Sequence, residues 1–350
     1  MKFNLEALLR PNIRKLTPYS SARHEFSGEA SVFLDANENS MGSPIGGNYH
    51  RYPDPNQGKL KAKISAFRKL PAEKIFIGNG SDEAIDLLYR MFCIPGKDRA
   101  IVCQPTYGMY GVSAAIHDIE LVNVPLQDDF QLDVQGIRSA FSGHEKLLFI
   151  CSPNNPTGNS FSRNNIIELL NTFPGIVVID EAYIDFSSQP SWINELDKFP
   201  NMVVMQTFSK AWGLAGLRVG MAFASEEIIA VMNKVKAPYN LSEAAQQLAL
   251  SALEQSAQVR RNIEVIVAER HRLAKKLEEL PGVIEVYPSD ANFLLVKTVD
   301  AKAIYQQLIK QGIVVRDRSN VQLCEGCLRI TIGTPEENEK VLGGMVFSGH

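Results

Sequence analysis

Along the first two thirds of the chain, hydrophobic residues gather in short unbroken runs. Residues 75–77, 101–103, 121–124, 147–151, 176–179, 203–205 and 219–223 are β-rich and lack polar alternation. That pattern suits strands buried on both faces, as in a parallel or mostly parallel sheet. Between the runs, Leu60, Ile64 and Phe67 recur at i, i+4 and i+7, and Ile85, Leu88 and Phe92 mark a second helical stripe. The alternation predicts an α/β domain. From about residue 242 to 280 the pattern is helical, and then strands at 283–287, 293–296, 313–315 and 328–332 alternate with helices. The first forty residues, with Pro11, Pro18 and little periodicity, read as an arm. The expected division is therefore an arm over 1–40, a large domain over 41–255 and a small α/β domain over 256–350.

Composition narrows the class. Apolar residues make up 45% of the 350 and charged residues 21%, which is globular usage and not that of a disordered or fibrous chain. The 36 basic and 39 acidic residues are spread along the chain for a net charge of −3, leaving no basic stripe for a nucleic acid. Lys2, Glu6 and Arg10 interrupt the apolar positions at the start, and no stretch is apolar enough to span a bilayer, so neither a signal peptide nor a membrane segment is expected. The cytoplasm is the default location. Cys93, Cys103 and Cys151 sit in or beside apolar runs and read as core residues. Cys324 and Cys327 form a lone CxxC without the companions a metal site needs, and the six histidines are scattered, so no metal is expected.

Four segments carry the chemistry. Residues 75–88, IFIGNGSDEAIDLL, run from a strand through a Gly-rich turn into a helix that Ser81 or Asp82 would cap. Such a turn offers free N–H groups and the positive end of a helix dipole to a phosphate. Residues 151–158, CSPNNPTG, follow a buried run and place Asn155 where ligands of open α/β sheets gather. In VVIDEAYIDF, 177–186, Asp180 directly follows four apolar residues. A carboxylate there is costly to bury unless a cation meets it, and a protonated pyridine nitrogen is such a cation. Tyr183, three residues on, is placed to reach the phenolic oxygen of the same ring. In TFSKAWGLAGLRVG, 207–220, Lys210 lies in an apolar, Gly-rich stretch that favours its neutral amine, with Ser209 and Arg218 on either side as phosphate partners. Singly, each segment has a plain structural reading as a turn, a cap or a surface lysine. In chain order, each at the end of a buried strand, they point to one aromatic phosphate cofactor.

Together the four resemble the fold-type I aminotransferases, whose phosphate turn, NPTG, DE(A)Y and Ser-Lys followed by Arg are matched over nearly the whole chain. LTPYSSAR (16–23), LDANEN (34–39), RYPDP (51–55), PTYGMY (105–110), VVRDRS (314–319) and CLRITIGT (327–334) are similar more narrowly to the histidinol-phosphate aminotransferase family. Ser40 stands where proline is common in that family. The resemblance implies a large, mostly parallel sheet flanked by helices, a smaller α/β domain, and pyridoxal 5'-phosphate held by Lys210 as a Schiff base. It implies that Asp180 keeps the pyridine nitrogen protonated, that Tyr183 and Asn155 bind the ring oxygen, and that Tyr107 lies against the ring. Gly80, Ser81, Asp82, Ser209 and Arg218 would hold the phosphate, with Tyr52 reaching in from the second subunit of a homodimer. Arg329 would grip the glutamate α-carboxylate, while Tyr19, Asn37 and Arg316 would meet histidinol phosphate. The amino acceptor would be 2-oxoglutarate. An aromatic aminotransferase or a threonine-phosphate decarboxylase would use the same cofactor residues, and a non-catalytic cofactor-binding sensor would keep the pocket without turnover.

Overall fold

A computed structural model of the chain describes residues 3–19 and 31–346. Ser20 to Arg23, the end of the LTPYSSAR pattern, lie outside the described residues. Seven strands, β1 (Ile75–Asn79), β2 (Arg99–Gln104), β3 (Glu120–Pro125), β4 (Glu145–Cys151), β5 (Ile176–Asp180), β6 (Met202–Thr207) and β7 (Val219–Phe223), form one sheet in the order β1-β7-β6-β5-β4-β2-β3. The neighbours from β3 to β6 pair in parallel. β7 alone runs against them, paired with β6 on one side and β1 on the other. Every expected run of this sheet is a strand, and the mostly parallel arrangement is present.

The unbroken apolar runs arise because each face of the sheet has its own core. Leu148, Ile150, Val177, Ile179 and Val204 point into one. Their immediate neighbours Leu147, Phe149, Ile176, Val178 and Val203 point into the other. Side chains alternate across a strand, so burial on both sides demands that successive residues all be apolar, each worth roughly 1.5–3 kcal/mol when fully buried. β3 lies at the edge, and there only Val124 is buried. The first helices of the chain, Leu5–Leu8 and Pro11–Lys15, were hidden in the expected arm. They are too short for periodicity to reveal, but Leu5, Leu9 and Ile13 lie in the second core.

Four further strands, β8 (Val283–Val286), β9 (Phe293–Thr298), β10 (Arg316–Asp317) and β11 (Cys327–Thr331), make an antiparallel sheet in the order β10-β11-β9-β8. Leu294, Val296, Leu328 and Ile330 face a separate core with Leu273 and Leu277. Phe293, Leu295 and Cys327 face the large sheet's core instead. Alternation along β11 puts Arg329 on the face of Cys327, toward the large sheet. Two expectations need correction. The strand expected at 313–315 is displaced to Arg316–Asp317: Gly312 adopts a left-handed turn (φ +74°), and Val314 is exposed and unpaired in the ladder. The helical stretch from 242 to 280 is two helices, Glu243–Glu254 and Ser256–Glu278, because Gln255 leaves helical geometry between them.

Candidate active site

A cavity of about 700 Å³ opens where the carboxyl ends of β4, β5 and β6 meet the start of the helix Gly80–Phe92 and the arginines of the small sheet. It is walled by Ser81, Asp82, Tyr107, Asn155, Asp180, Tyr183, Ser209, Lys210, Arg218, Arg316 and Arg329, eleven of the residues expected from sequence. Gly80, next to Ser81, is not among the lining residues.

The phosphate turn differs in one detail from expectation. The helix cap is Asn79, with no side-chain cap bond, so Ser81 and Asp82 occupy the first turn instead of capping it. Their N–H groups belong to the set with no partner inside the helix. Gly80 has φ +71°, and its N–H donates to the Arg218 carbonyl at 2.7 Å. A Cβ on Gly220 would fall 2.2 Å from both the Gly80 carbonyl carbon and the Ser81 nitrogen, so β7 presses directly on the turn and only glycine fits there. Arg218, itself left-handed at φ +55°, sends one guanidinium nitrogen to Asp82 at 3.1 Å and another to the Ser209 hydroxyl at 3.4 Å. These contacts gather a cation, a hydroxyl and a helix N-terminus at one end of the cavity.

Asp180 closes the floor. It is 2% exposed, accepts the Tyr110 hydroxyl at 2.7 Å and the Ala182 N–H at 3.1 Å, and burial pushes its carboxyl up to about 6 against the pull of those two donors. A buried carboxylate with donors on both oxygens and a cavity beside it suits a cationic partner. Tyr110 stacks on Phe149 with ring centroids 4.7 Å apart and meets Tyr107 edge-on, while Tyr107 donates to Asp82 at 3.2 Å.

Lys210 stands in the turn just beyond β6, the strand that runs past Met205, the partner of Asp180, and ends at Thr207. The Thr207 hydroxyl accepts from the Ser209 N–H at 3.0 Å, and Phe208 N–H donates to Val219 O, which ties the lysine loop to β7. Lys210 opens into the cavity with its ammonium 5.5 Å from the Tyr183 ring centre. Desolvation lowers its pKa, Arg329 lowers it further, and Asp180 acts the other way. Across the cavity Arg329 donates to the Asn155 side-chain oxygen, the Asn155 amide faces the Tyr183 hydroxyl at 3.5 Å, and the Arg329 guanidinium lies 5.3 Å from the Phe293 ring centre.

A family model for class I and II aminotransferases matches residues 29–344. The chain belongs to that aminotransferase family. A histidinol-phosphate aminotransferase of Parabacteroides distasonis is 54% identical over 342 residues, covering 98% of each chain. A crystal structure of the histidinol-phosphate aminotransferase from Clostridium acetobutylicum superposes with a TM-score of 0.78 at 26% identity, covering 85% of this chain and 90% of that one. One from Sinorhizobium meliloti, in complex with pyridoxal-5'-phosphate, gives 0.78 at 25% identity over 89% and 88%.

In this aminotransferase the donor set fits a planar, phosphorylated ring with a cationic nitrogen: an anion cradle at one end, a buried carboxylate at the floor and a depressed lysine between. Three sequence candidates are not at the cavity of their own chain. Tyr52 is half-exposed and stacks on Tyr239 at 4.5 Å, Tyr19 is exposed, and Asn37 lies in a left-handed turn of the amino-terminal segment. Two residues were missed. Tyr110, within PTYGMY, is three positions after Tyr107, the spacing that returns a helix to one face. Arg318 lines the cavity two positions after Arg316, on the same side of an extended chain.

Proposed function

We propose that this aminotransferase, with pyridoxal 5'-phosphate bound, moves the amino group of histidinol phosphate to 2-oxoglutarate, giving imidazole acetol phosphate and glutamate, a step of histidine biosynthesis. The observation that carries the reading is that buried Asp180, at the end of β5, and Lys210, in the loop beyond the neighbouring β6, line one cavity, in a chain 54% identical to a histidinol-phosphate aminotransferase. When bound, the cofactor supplies an electron-poor ring that accepts the electron pair left on the substrate carbon after proton loss. Asp180 keeps the proton on the ring nitrogen. Lys210 would hold the cofactor through its Nζ, and that Nζ would take the proton from the substrate carbon, a task its lowered pKa favours. Tyr183 and Asn155 hold the ring oxygen, and Tyr107 covers the ring. Ser81, Asp82, Ser209, Arg218 and the Gly80 turn hold the phosphate. Arg329 takes the glutamate α-carboxylate through a two-pronged contact, and Arg316 stands at the outer side of the same pocket.

The same reading assigns residues 41–255 to the cofactor domain, 256–350 to the small domain that carries both arginines, and 1–40 to an arm. It also assigns a cytoplasmic homodimer in which Tyr52 crosses to the other subunit's phosphate and Tyr19 and Asn37 serve substrate. The outward position of Tyr52 and the exposure of Val32, Leu34, Met41, Ile45 and Tyr49 in one segment support that assembly. No helix among the described residues is long and apolar enough to cross a membrane. Purified protein should form glutamate from 2-oxoglutarate when histidinol phosphate is the donor. Glutamate formation from phenylalanine with none from histidinol phosphate would refute the substrate assignment, as would carbon dioxide release from threonine phosphate.

A further inference from the structure

Arg318 stands out among the cavity residues because its buried Nε meets no hydrogen-bond acceptor. Arg316 and Arg329 face each other directly across the β10–β11 ladder, and the Arg318 N–H donates to Cys327 O at 2.9 Å, which continues that pairing and sets Arg318 beside them. All three arginines line the cavity. Like charges directly opposite in a sheet are destabilising. Asp317, between two of them in sequence, accepts the Ser319 N–H and hydroxyl on its Oδ1 and makes no hydrogen bond to any of the three arginines. Arg329 has the Asn155 oxygen as an acceptor, but the Arg318 Nε is buried with no acceptor at all. Burial and then Arg329 and Arg316 push the Arg318 pKa down, against weaker help from Cys324 and Asp317. A chain that keeps such an arrangement has a cavity that fits an incoming anion of more than one charge.

The substrates of the proposed reaction differ at this position, and the inference rests on that reading. Both must set the carbon bearing the amine beside Lys210. Glutamate carries a carboxylate directly on that carbon, with a single charge that one guanidinium fork satisfies. Histidinol phosphate carries a methylene and an ester oxygen before its phosphate, so its anion reaches further out. A phosphate monoester also bears about −1.5 to −2 charges near neutral pH. We infer that Arg318 is a specificity-determining residue which contacts the substrate phosphate but not the glutamate α-carboxylate, and so lets one pocket alternate between two unlike amines.

The test uses the cofactor-loaded enzyme and each half-reaction separately. Arg318→Gln should raise the apparent dissociation constant for histidinol phosphate by about 10- to 100-fold, the range of a lost charge-assisted hydrogen bond. Its constant for glutamate should change less than about twofold. Arg318→Lys should fall between. In the parent enzyme, affinity for histidinol phosphate should improve as pH rises through the phosphate's second ionisation near about 6, and Arg318→Gln should flatten that rise. Titration calorimetry of histidinol phosphate into the Lys210→Ala protein, with and without Arg318→Gln, should give the same contrast without turnover. Equal weakening of both substrates by Gln and by Lys would mean that Arg318 only supports the fold, and unchanged affinities would also overturn the inference. Failure of the parent enzyme to convert histidinol phosphate would remove the functional reading and this inference with it, whereas normal conversion by parent and Arg318→Gln alike would remove the inference alone.

Discussion

Replacing Asp180 by asparagine should move stability and activity in opposite directions. In the protein without cofactor, Asp180 is a buried carboxyl pushed up to about 6 from an ordinary 3.8. At about 1.4 kcal/mol for each tenfold change in proton affinity, keeping it ionised costs roughly 3 kcal/mol. The folded state holds the proton more tightly than the unfolded state. The cost is therefore absent below 3.8, grows as pH rises through the interval to about 6, and is fully present at pH 8. Asparagine keeps an oxygen for the Ala182 N–H, and its amide can donate to a reoriented Tyr110 hydroxyl, so most of the site's hydrogen bonding survives. Urea unfolding of the cofactor-free proteins should show Asp180→Asn more stable than the parent by about 1–3 kcal/mol at pH 8. That gain should be about halved at pH 5 and nearly gone at pH 4. In the loaded enzyme the amide cannot hold a proton on the ring nitrogen, and kcat should fall by about 100-fold or more. A variant less stable than the parent at pH 8, or a stability difference that ignores pH, would refute the electrostatic reasoning. Unchanged kcat would refute the role.

Lys210→Ala should abolish transamination while leaving the circular dichroism spectrum and unfolding cooperativity intact; measurable turnover would sink the assignment of the lysine. Gly220→Ala would set a methyl 2.2 Å from backbone atoms of Gly80 and Ser81, and neither can swing away. It should cost about 3 kcal/mol in urea unfolding and weaken cofactor binding in a fluorescence titration, since overpacking against backbone forces the turn to shift. Tyr110→Phe deletes the hydroxyl donor to Asp180, so the acid limb of the kcat profile should move to higher pH with about a 10-fold loss of kcat at its acid end.

The parts of this molecule that could be read in its sequence are those whose physics is local. A strand buried on both faces must be apolar at every position, so 147–151 and 176–179 announced themselves. The site lies just past such strands, which is why Asn155, Asp180 and Lys210 could be named. Tyr110 was missed as the partner of Asp180 because seventy positions separate them and only the packing of the helix Met109–Ile116 on the sheet joins them. The demand on Gly220 likewise comes from the Gly80 turn on a neighbouring strand. β10 was misplaced because its two polar residues pair through backbone alone, while the apolar run before it packs Ile313 and Val315 on the small core and exposes Val314 without joining the ladder. Of the amino-terminal candidates, Tyr52 was expected to act from a second subunit, whose contacts no pattern within one chain displays, and the exposed Tyr19 and Asn37 lie away from the cavity that the buried strands mark.

The central claim is that Lys210 and Asp180 serve a cofactor that takes the amino group from histidinol phosphate, and its most direct test is the visible absorption of the purified protein. Added pyridoxal phosphate should give the band of the lysine-bound cofactor, histidinol phosphate should abolish that band in a single turnover, and 2-oxoglutarate should restore it. A band that persists with histidinol phosphate but disappears with glutamate or phenylalanine would contradict the substrate, and no lysine-bound band at all would contradict the role of Lys210.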